Sequence, residues 1–321
     1  MFMKEKLQDA LEHTLEGTDF QGLGSCMRGK VRDSYTQDGR RLIVTTDRIS
    51  AFDRVLGTLP YKGQILNRVA AFWFEKTKDI APNHIISHPD PQVMDVLDCT
   101  TLPVEMVVRA YVTGSTSTSI WTHYKNGGRN FCGNPLPDGM KKHQRLEKAI
   151  LTPSTKAEKG DHDVSMSREE ILALGQVSVA DFDAMGEMSM ALFAFGQEHC
   201  AKQGLILVDT KYEFGRTKDG RIVVIDEIHT PDSSRYWQAA TYEERFAAGQ
   251  DPDGLDKEYV RTWLKREHGF MGDGDIPKIP GEVRVEASSR YIRACEQVTG
   301  EEFTPNEEDP NVRIPRNLGV S

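Results

Sequence analysis

Two strand-like segments joined by an Asp-Gly pair constrain this chain more than any other feature. The segments span residues 205–215 and 221–230, and in both of them charged side chains interrupt a run of apolar and β-branched ones. An Asp-Gly pair between such segments, here Asp219 and Gly220, is typical of a β-hairpin with a two-residue turn. The sequence therefore predicts an antiparallel hairpin that carries charges into the interior of a sheet.

A two-residue turn fixes which residues of the two strands face each other. Lys218 would pair with Arg221, and counting back along both strands places Glu213 directly opposite Asp226. Alternate residues share one face of a strand, so the charged face would hold Asp209, Lys211, Glu213 and Asp226. Two opposed carboxylates repel each other at roughly 5 Å between their Cβ atoms. The pattern therefore predicts a positive charge between them.

A hard divalent cation is one candidate for that charge. Mg²⁺ binds one or two carboxylates and completes its octahedral shell with water and substrate phosphates. The alternative is structural: Lys211 pairs with Asp209 or Glu213, and the other charges lie on a solvated edge of the sheet. The hairpin by itself leaves both interpretations open.

Composition excludes several classes of protein. The chain has 321 residues and a formal net charge of −9, which argues against binding to nucleic acid. Its apolar runs are shorter than the ~18 residues that cross a membrane, and the N-terminal segment lacks the features of a signal peptide. Five scattered cysteines without a C-x-x-C pair indicate neither a disulfide framework nor structural zinc. We expect a cytoplasmic protein without nucleic-acid or membrane partners.

Mixed strands followed by helices predict an α+β fold with two lobes. Helical periodicity covers the N-terminus and residues 65–78, 167–174, 179–202, 257–267 and 283–299, and a strand is expected at 103–113. Residues 124–163 show weak periodicity and many Gly, Pro and Asn. A stretch of that length in a compact domain is typically a functional lid or disordered.

Three further segments carry residues suited to anions. RGKVRD, residues 28–33, sets a glycine among cations between two expected strands. LPVEMVVRAYVTGS, residues 102–115, is an apolar strand with Glu105 and Arg109 on one face, and it ends in a Thr-Gly-Ser turn. TPDSSRYW, residues 230–237, brings Arg235 close to the second carboxylate strand. The structural alternatives are a solvated turn, a Glu105–Arg109 pair and an Asx-type turn.

Taken together, these motifs resemble one family. RGKVRDSY, TTDRISAFD, LPVEMVVRAYVTGS, LTPSTKAEKGDHD, LILVDTKYEFG and VIDEIHTPDSSRYW, in this order, closely resemble the SAICAR synthetase family of purine biosynthesis, in its longer, single-function form. The resemblance implies a two-lobed α+β fold with a kinase-like or ATP-grasp-like nucleotide cleft. It also implies an ATP-dependent ligase that joins L-aspartate to carboxyaminoimidazole ribonucleotide (CAIR) and releases ADP and phosphate, through an acyl phosphate.

The resemblance also implies roles for individual residues. The nucleotide contacts would be Gly29, Lys30, Val31 and Arg32, and the catalytic residues would be Lys211, Glu213 and Asp226, with Mg²⁺ held by Glu213 and Asp226. The substrate contacts would be Arg109, Ser115, Asp209, Asp232, Ser234 and Arg235. Asp47, Asp53, Lys62 and Gly63 would lie near the substrate cleft. The segment before Leu102 would face the adenine.

The resemblance further suggests an organisation for the whole chain. Residues 1–101 would form the ATP-binding lobe, and residues 102–321 the substrate- and metal-binding lobe with the C-terminal helices. We expect residues 151–163 to act as a lid, in which His162 and Asp163 are candidates for the general base. The working protein would be a monomer or a small homo-oligomer. A kinase and a silent nucleotide-binding regulator are the competing interpretations, and the chain lacks the kinase H-R-D and D-F-G motifs.

Overall fold

The protein folds around two antiparallel sheets flanked by helices, as the computed structural model shows for residues 2–116, 118–156, 163–255 and 257–320. This arrangement confirms the predicted α+β class. None of the helices in these ranges is long and apolar enough to cross a membrane. All five cysteines are free thiols.

The first sheet lies in the N-terminal part of the chain. Its region contains seven strands, numbered in chain order: β1 (Ser25–Arg28), β2 (Arg32–Gln37), β3 (Arg40–Thr45), β4 (Arg48–Ala51), β5 (Arg54–Thr58), β6 (Ile85–Asp90) and β7 (Val93–Leu97). The five-stranded sheet has the order β1-β2-β3-β7-β6, and β4 and β5 form a separate hairpin. Gly29, Lys30 and Val31 form the loop between β1 and β2. This loop therefore lies at one edge of the sheet.

The second sheet contains the charged strand. The remaining strands are β8 (Thr100–Tyr111), β9 (Asn130–Phe131), β10 (Asn134–Pro135), β11 (Arg145–Leu151), β12 (Ser154–Thr155), β13 (Leu205–Arg216), β14 (Ile222–Ile225) and β15 (Ser234–Gln238). The order is β11-β8-β13-β14, with β12 paired to β8 and β15 paired to β13. Strand β13 is thus central and has partners on both sides.

The helices are α1 (Phe2–Asp9), a 3₁₀ turn (Ala10–Glu12), α2 (Lys62–Lys76), α3 (Ile120–Lys125), α4 (Arg168–Ala173), α5 (Val179–Lys202), α6 (Ala239–Ala247), α7 (Glu258–His268), α8 (Gly281–Thr299) and α9 (Pro310–Leu318). The predicted helices are confirmed to within a few residues. Ser178 caps α5 by accepting a hydrogen bond from the Asp181 backbone N–H, and Ser167 forms a capping box with Glu170 at α4. These local signals explain why both helix starts were predictable.

The register predicted for the hairpin is wrong by one residue. Glu213 faces Ile225, and Thr217 pairs with Arg221 across a three-residue turn that ends in Gly220 at φ +88°. Asp-Gly also suits this longer turn, in which glycine takes the left-handed position. Strand β14 ends at Ile225, and Asp226 follows it at φ +65°. The chain therefore turns at Asp226, which stands beyond the ladder instead of opposite Glu213.

The segment at 124–163 is more regular than its sequence indicates. Strand β11 (Arg145–Leu151) and the short β12 both pair with β8, and β9 pairs with β10. Two-residue strands carry no detectable periodicity, so only their pairing partners define them. Residues 157–162, which include six of the thirteen residues of the expected lid and among them His162, lie outside the described residues.

The two sheets are connected directly, and the C-terminal helices return to the first of them. Only Asp98 and Cys99 separate β7 from β8. Helix α8 packs on α1 and α2, and α9 packs on β6. The C-terminal chain thereby closes over elements from the other end of the sequence.

Candidate active site

Lys211 and Glu213 of β13 stand at the boundary between two cavities. The first, here called the glycine-loop cavity, has a volume of about 380 Å³ and lies between the sheets. Its lining includes Gly29, Lys30, Val31, Arg32, Leu97, Cys99, Thr101, Lys156, Glu213 and Asp226. The second, the arginine cavity, has a volume of about 230 Å³. Its lining includes Glu105, Arg109, Asp163, Asp209, Lys211, Asp232, Ser234, Arg235, Lys257 and Arg261.

Ion pairs tie Glu213 to its neighbours. The Lys211 ammonium lies 2.5 Å from one Glu213 oxygen and 2.6 Å from Glu105. Glu105 belongs to β8, where it is paired directly with Glu213 of β13. Lys156 pairs with the other Glu213 oxygen. The structural alternative for Lys211 is therefore partly right, since it does bind Glu213. Its second partner is Glu105 instead of Asp209, and the strand is central instead of an edge.

Asp226 shares the glycine-loop cavity with Glu213 although the two are not paired in the ladder. Arg32 lies 3.1 Å from an Asp226 oxygen and also pairs with Glu227. The left-handed backbone at Asp226 turns the carboxylate into this cavity. The predicted proximity of the two carboxylates is thus found, but the turn after β14 produces it.

The pKa values show how the site distributes charge. Burial alone would raise the pKa of Glu213, but Lys211 and Lys156 outweigh it and lower that pKa to about 2. Burial raises the pKa of Asp226. Arg32 opposes this shift, and the negative charges of Glu213 and Glu227 add to it. Burial likewise raises the pKa of Glu105. Four carboxylates and three cations thus interact directly around Glu213 and Asp226.

This donor set fits Mg²⁺ only in part. Among the described residues, no group of three or more His, Cys, Asp or Glu side chains is arranged to hold a metal ion. Glu213 and Asp226 could supply the one or two carboxylates that Mg²⁺ takes from protein when phosphate and water complete its shell. The residues therefore fit a metal that binds together with a phosphate ligand.

The arginine cavity is built by three neighbouring strands. Arg109 of β8 and Arg235 of β15 both face Asp209 of β13, and both guanidinium groups pair with its carboxylate. The structural alternative, a Glu105–Arg109 pair, is therefore not the arrangement found. Ser234 is buried and donates a hydrogen bond of 2.7 Å to Thr210. The sheet places two arginines side by side at the cavity wall.

Asp232 connects the cavity to two distant helices. Its carboxylate accepts hydrogen bonds of 2.6 Å from Lys62 of α2 and from Tyr291 of α8. Burial would raise the pKa of Asp232, but Lys62, Lys257 and these hydrogen bonds lower it to about 2. The Lys62 side chain is completely buried, and Gly63 donates its backbone N–H to Asp47. Asp232 is thus fixed from both ends of the chain.

The glycine loop is a tight turn. The Gly29 N–H donates to the Arg32 carbonyl over 2.7 Å, and the Lys30 ammonium lies 2.5 Å from Asp53. Both side chains of that pair are more than half exposed. Lys30 can therefore leave Asp53 for an anion in the cavity at little cost.

Sequence reasoning missed several residues that the structure brings to the site. Lys156 and Glu227 lie within quoted motifs but were given no role there, and no local pattern marks Lys257 and Arg261; all four line or support the cavities. Ser115 lies beside the arginine cavity, where its hydroxyl bonds Glu258 and Lys265 of α7. Asp163, the last residue of the expected lid, lines that cavity.

A glycine loop and carboxylates in one cavity, next to a second cavity lined by arginines, are typical of an ATP-dependent enzyme that acts on an anionic acceptor. The comparisons with known proteins agree. The family model for SAICAR synthetase matches residues 25–273, and the chain belongs to this family. It is accordingly an ADP-forming ligase that joins L-aspartate to CAIR in purine biosynthesis.

Two curated relatives and one solved structure illustrate the similarity. The chloroplastic phosphoribosylaminoimidazole-succinocarboxamide synthase of Arabidopsis thaliana is 48% identical over 98% of this chain and 77% of its own length. That of Legionella pneumophila strain Lens is 48% identical over 92% of this chain and 95% of its own. The SAICAR synthase of Saccharomyces cerevisiae, solved in complex with SAICAR, has a TM-score of 0.77 and 29% identity. The match covers 91% of this chain and 100% of the yeast chain. Membership in this family sets the kinase interpretation aside.

Proposed function

We propose that the glycine-loop cavity binds ATP and that the arginine cavity binds CAIR and L-aspartate. The observation that carries this division is the position of one ion pair: Lys211 lines the arginine cavity, and its partner Glu213 lines the glycine-loop cavity. A phosphoryl group and its acceptor would therefore meet beside this pair. In this division the ATP-binding lobe is residues 1–101 and the substrate lobe is residues 102–321.

On the nucleotide side, the loop of Gly29, Lys30 and Val31 would cover the phosphates. Backbone N–H groups in a glycine turn can approach phosphate oxygens closely, and Lys30 adds a positive charge. The connection between the two sheets lines the same cavity at Leu97, Cys99 and Thr101, where the base would fit. Arg32 would neutralise part of the negative charge of both Asp226 and the phosphates.

Glu213 and Asp226 would hold Mg²⁺, which when bound supplies charge neutralisation for the phosphates. Lys211 would stabilise the negative charge of the transferring phosphoryl group, because its ammonium stands between the carboxylates of both cavities. Positioning and charge stabilisation of this kind account for most of the acceleration in phosphoryl transfer.

On the substrate side, Arg109 and Arg235 would bind the anionic ribonucleotide, with Ser115 and Ser234 as hydroxyl donors. A guanidinium group offers two parallel N–H donors to a phosphate or carboxylate. Asp209 keeps both arginines oriented toward the cavity. Asp232 would contact the substrate from the neighbouring loop.

The reaction would follow two displacements. A carboxylate oxygen of CAIR attacks the γ-phosphorus, the bond to ADP breaks, and an acyl phosphate forms. The neutral amine of aspartate then attacks the acyl carbon, phosphate leaves with that oxygen, and the nitrogen loses a proton as the amide forms. Asp163 lines the cavity and would accept this proton.

The first test measures ADP release with Mg·ATP. CAIR and L-aspartate are added separately and then together, and the succinocarboxamide product is measured. We expect ADP and product only when both are present. Release without formation of the product would contradict the coupling of the two cavities.

The acyl phosphate requires an isotope experiment. CAIR labelled with ¹⁸O in its carboxylate is converted by the enzyme, and the released phosphate is examined by mass spectrometry. One labelled oxygen in each phosphate is expected, since the phosphate leaves with the former carboxylate oxygen. Unlabelled phosphate would eliminate this intermediate.

A further inference from the structure

A histidine that lines neither of the two cavities holds the turn that follows β8. The His143 ring bonds two residues from different parts of the chain. Its Nδ1 lies 2.9 Å from the Thr113 hydroxyl oxygen, and its Nε2 lies 2.8 Å from an Asp251 oxygen. Thr113 is buried, whereas the Asp251 side chain is exposed. A hydroxyl, an imidazole and a carboxylate thus form a line from the interior of the protein to its surface.

The two hydrogen bonds have a defined direction. Burial lowers the pKa of His143 despite its hydrogen bond with Asp251, and Lys142 adds to this shift, so the ring is neutral at neutral pH. Lys142 also lowers the pKa of Asp251, whose ionised carboxylate can only accept. The Nε2 atom of His143 therefore carries the proton of the ring and donates to Asp251. This leaves Nδ1 as the acceptor for the Thr113 hydroxyl.

The histidine itself is held on several sides. Its backbone has a φ of +69°, its N–H donates to the Val112 carbonyl over 2.7 Å, and its carbonyl accepts from the Tyr242 hydroxyl over 2.8 Å. The Trp237 ring meets the imidazole edge to face, with 5.4 Å between the ring centroids. A left-handed backbone is unfavourable for a residue other than glycine, so these contacts have to maintain it. His143 is therefore a rigid anchor for Thr113.

The anchored hydroxyl belongs to a turn that adjoins the arginine cavity. Gly114 follows Thr113 with a φ of +103°, and a Cβ atom at Gly114 would lie 3.3 Å from a guanidinium nitrogen of Arg235. The turn backbone thus passes directly along Arg235, and the next residue in the chain is Ser115. A shift of Thr113 would therefore displace Ser115 and the backbone that packs against Arg235.

The same three groups resemble a nucleophile, a general base and an orienting carboxylate. That interpretation does not fit, because the Thr113 side chain is buried and neither Thr113 nor His143 is among the residues that line the arginine cavity. A hydroxyl group that does not reach the substrate cannot attack it. The arrangement therefore supports the turn instead of the chemical step.

We propose that His143 is a positioning residue for the ribonucleotide: it holds the Thr113 hydroxyl, and thereby the Thr-Gly-Ser turn, in the conformation that binds the substrate. This inference rests on the proposed function, in which Arg235 and Ser115 bind CAIR. A turn that is already ordered spares the free energy of ordering it when the ligand binds. The loss of the anchor should therefore weaken the binding of CAIR and leave the chemical step intact.

Two variants remove the anchor from opposite sides. Thr113→Val keeps the shape of the side chain and removes the hydroxyl. His143→Gln keeps an amide N–H near the position of Nε2 and removes the acceptor at Nδ1. Both should raise the KM for CAIR about tenfold, which is about the contribution of one hydrogen bond, while kcat and the KM for ATP stay within about twofold. Calorimetry with CAIR alone should show the same loss of affinity without turnover.

His143→Asn is the conservative variant. Its amide oxygen lies near the position of Nδ1 and can accept from Thr113, and asparagine tolerates a left-handed backbone. The KM for CAIR should stay within about threefold of that of the unchanged protein, although the contact with Asp251 is lost. Lys142→Met is the matched control, because Lys142 binds the same Asp251 oxygen and is partly exposed. It should leave the KM for CAIR unchanged.

The double variant Thr113→Val/His143→Gln should raise the KM for CAIR no more than either single variant, because both substitutions remove the same hydrogen bond. Thermal unfolding shows whether each variant is folded. If one of the two single variants does not fold, the other is compared with His143→Asn.

Arg235→Met, measured alongside, keeps this inference separate from the proposed function. If it leaves the KM for CAIR unchanged, the arginine cavity does not bind the ribonucleotide, and the proposed function is wrong together with this inference. If it raises that KM while Thr113→Val and His143→Gln do not, only the positioning role is wrong. Equal increases for His143→Asn and His143→Gln would also overturn the role, since the effect would then belong to the ring and not to its bond with Thr113.

Discussion

At the scale of single residues, the site depends on charges whose surroundings fix them. Glu213 is ionised because two lysines outweigh its burial, whereas burial disfavours the ionised form of Asp226. The two carboxylates are chemically alike, so their difference comes from their neighbours, of which Lys211 and Glu227 are close in sequence and Lys156 and Arg32 are distant. Arg32 and Glu227, for example, are 195 residues apart.

Replacing either carboxylate should abolish most of the activity. Glu213→Gln and Asp226→Asn keep the shape and remove the charge that would hold Mg²⁺. We expect kcat to fall about 100-fold or more, comparable to the loss of a major electrostatic group in other active sites. Steady-state rates at several Mg²⁺ concentrations test this, with thermal unfolding as the control. Near-normal turnover at low Mg²⁺ would refute the metal assignment.

The Asp232 carboxylate should stabilise the fold in a pH-dependent manner. Its pKa in the folded protein, about 2, is below its ordinary value of 3.8. The stabilisation is therefore complete above that ordinary value and is lost as the pH falls toward 2, and it amounts to about 2 kcal/mol. We measure the free energy of unfolding in urea as a function of pH for the unchanged protein and for Asp232→Asn, and we expect the two values to converge at acid pH. If they differ by the same amount at every pH, the stabilisation does not come from the ionisation of Asp232.

At the scale of elements, local signals predict helices better than strand pairing. The bounds of α5 follow from a serine cap, an apolar face and the glycine at 204, all of which lie within the helix or next to it. The hairpin register does not follow, because Asp-Gly suits turns of two and of three residues. The charged face was predictable from alternation, but the partners on β8 and β15 were not, since they are about 100 and 26 residues away.

Gly215 lies where β13 passes close to the connection between the sheets, and this position has no room for a larger side chain. A Cβ atom at this position would lie 2.8 Å from the Cβ of Cys99 and 3.0 Å from Ile225. Gly215→Ala should lower the free energy of unfolding by about 1–3 kcal/mol, as other overpacked sites do. It should also raise the KM for ATP, because Cys99 and Ile225 line the glycine-loop cavity.

Gly220→Ala in the same hairpin provides the comparison for this prediction. Gly220 has a positive φ and no atom within 4 Å of its Cβ position, so alanine there strains only the turn. The free energy of unfolding of the Gly220→Ala variant should fall by about 1–2 kcal/mol, and its KM for ATP should stay unchanged. If both variants alter the KM equally, the effect belongs to the hairpin and not to the contact with Cys99.

At the scale of the whole molecule, the last helix is anchored on the first sheet. Arg313 of α9 is completely buried and binds Asp90 at the end of β6 through two of its nitrogens, and it also donates to Gln92 over 2.7 Å. The contact joins residues that are 223 positions apart. Composition gives no sign of it, because a buried arginine looks like any other arginine in a sequence.

Arg313→Met should destabilise the entire protein by about 3–5 kcal/mol, because it leaves the buried Asp90 carboxylate without its cation. Arg316→Met on the same helix breaks an exposed pair with Glu308 and should cost less than about 1 kcal/mol. Urea unfolding measures both variants. We expect one cooperative transition in each case, and equal effects of the two variants would contradict the role of burial.

The ion pairs around Glu213 and Asp226 have a consequence for the order in which ligands arrive. In the resting cleft, Lys156, Lys211 and Arg32 already occupy these carboxylates. A free divalent ion would have to displace them, and each displaced cation would lose one carboxylate partner. The phosphates of a nucleotide replace that partner, so the metal and the nucleotide should each strengthen the binding of the other to the same degree. The cleft would thus discriminate between the free ion and the metal–nucleotide complex through cooperativity alone.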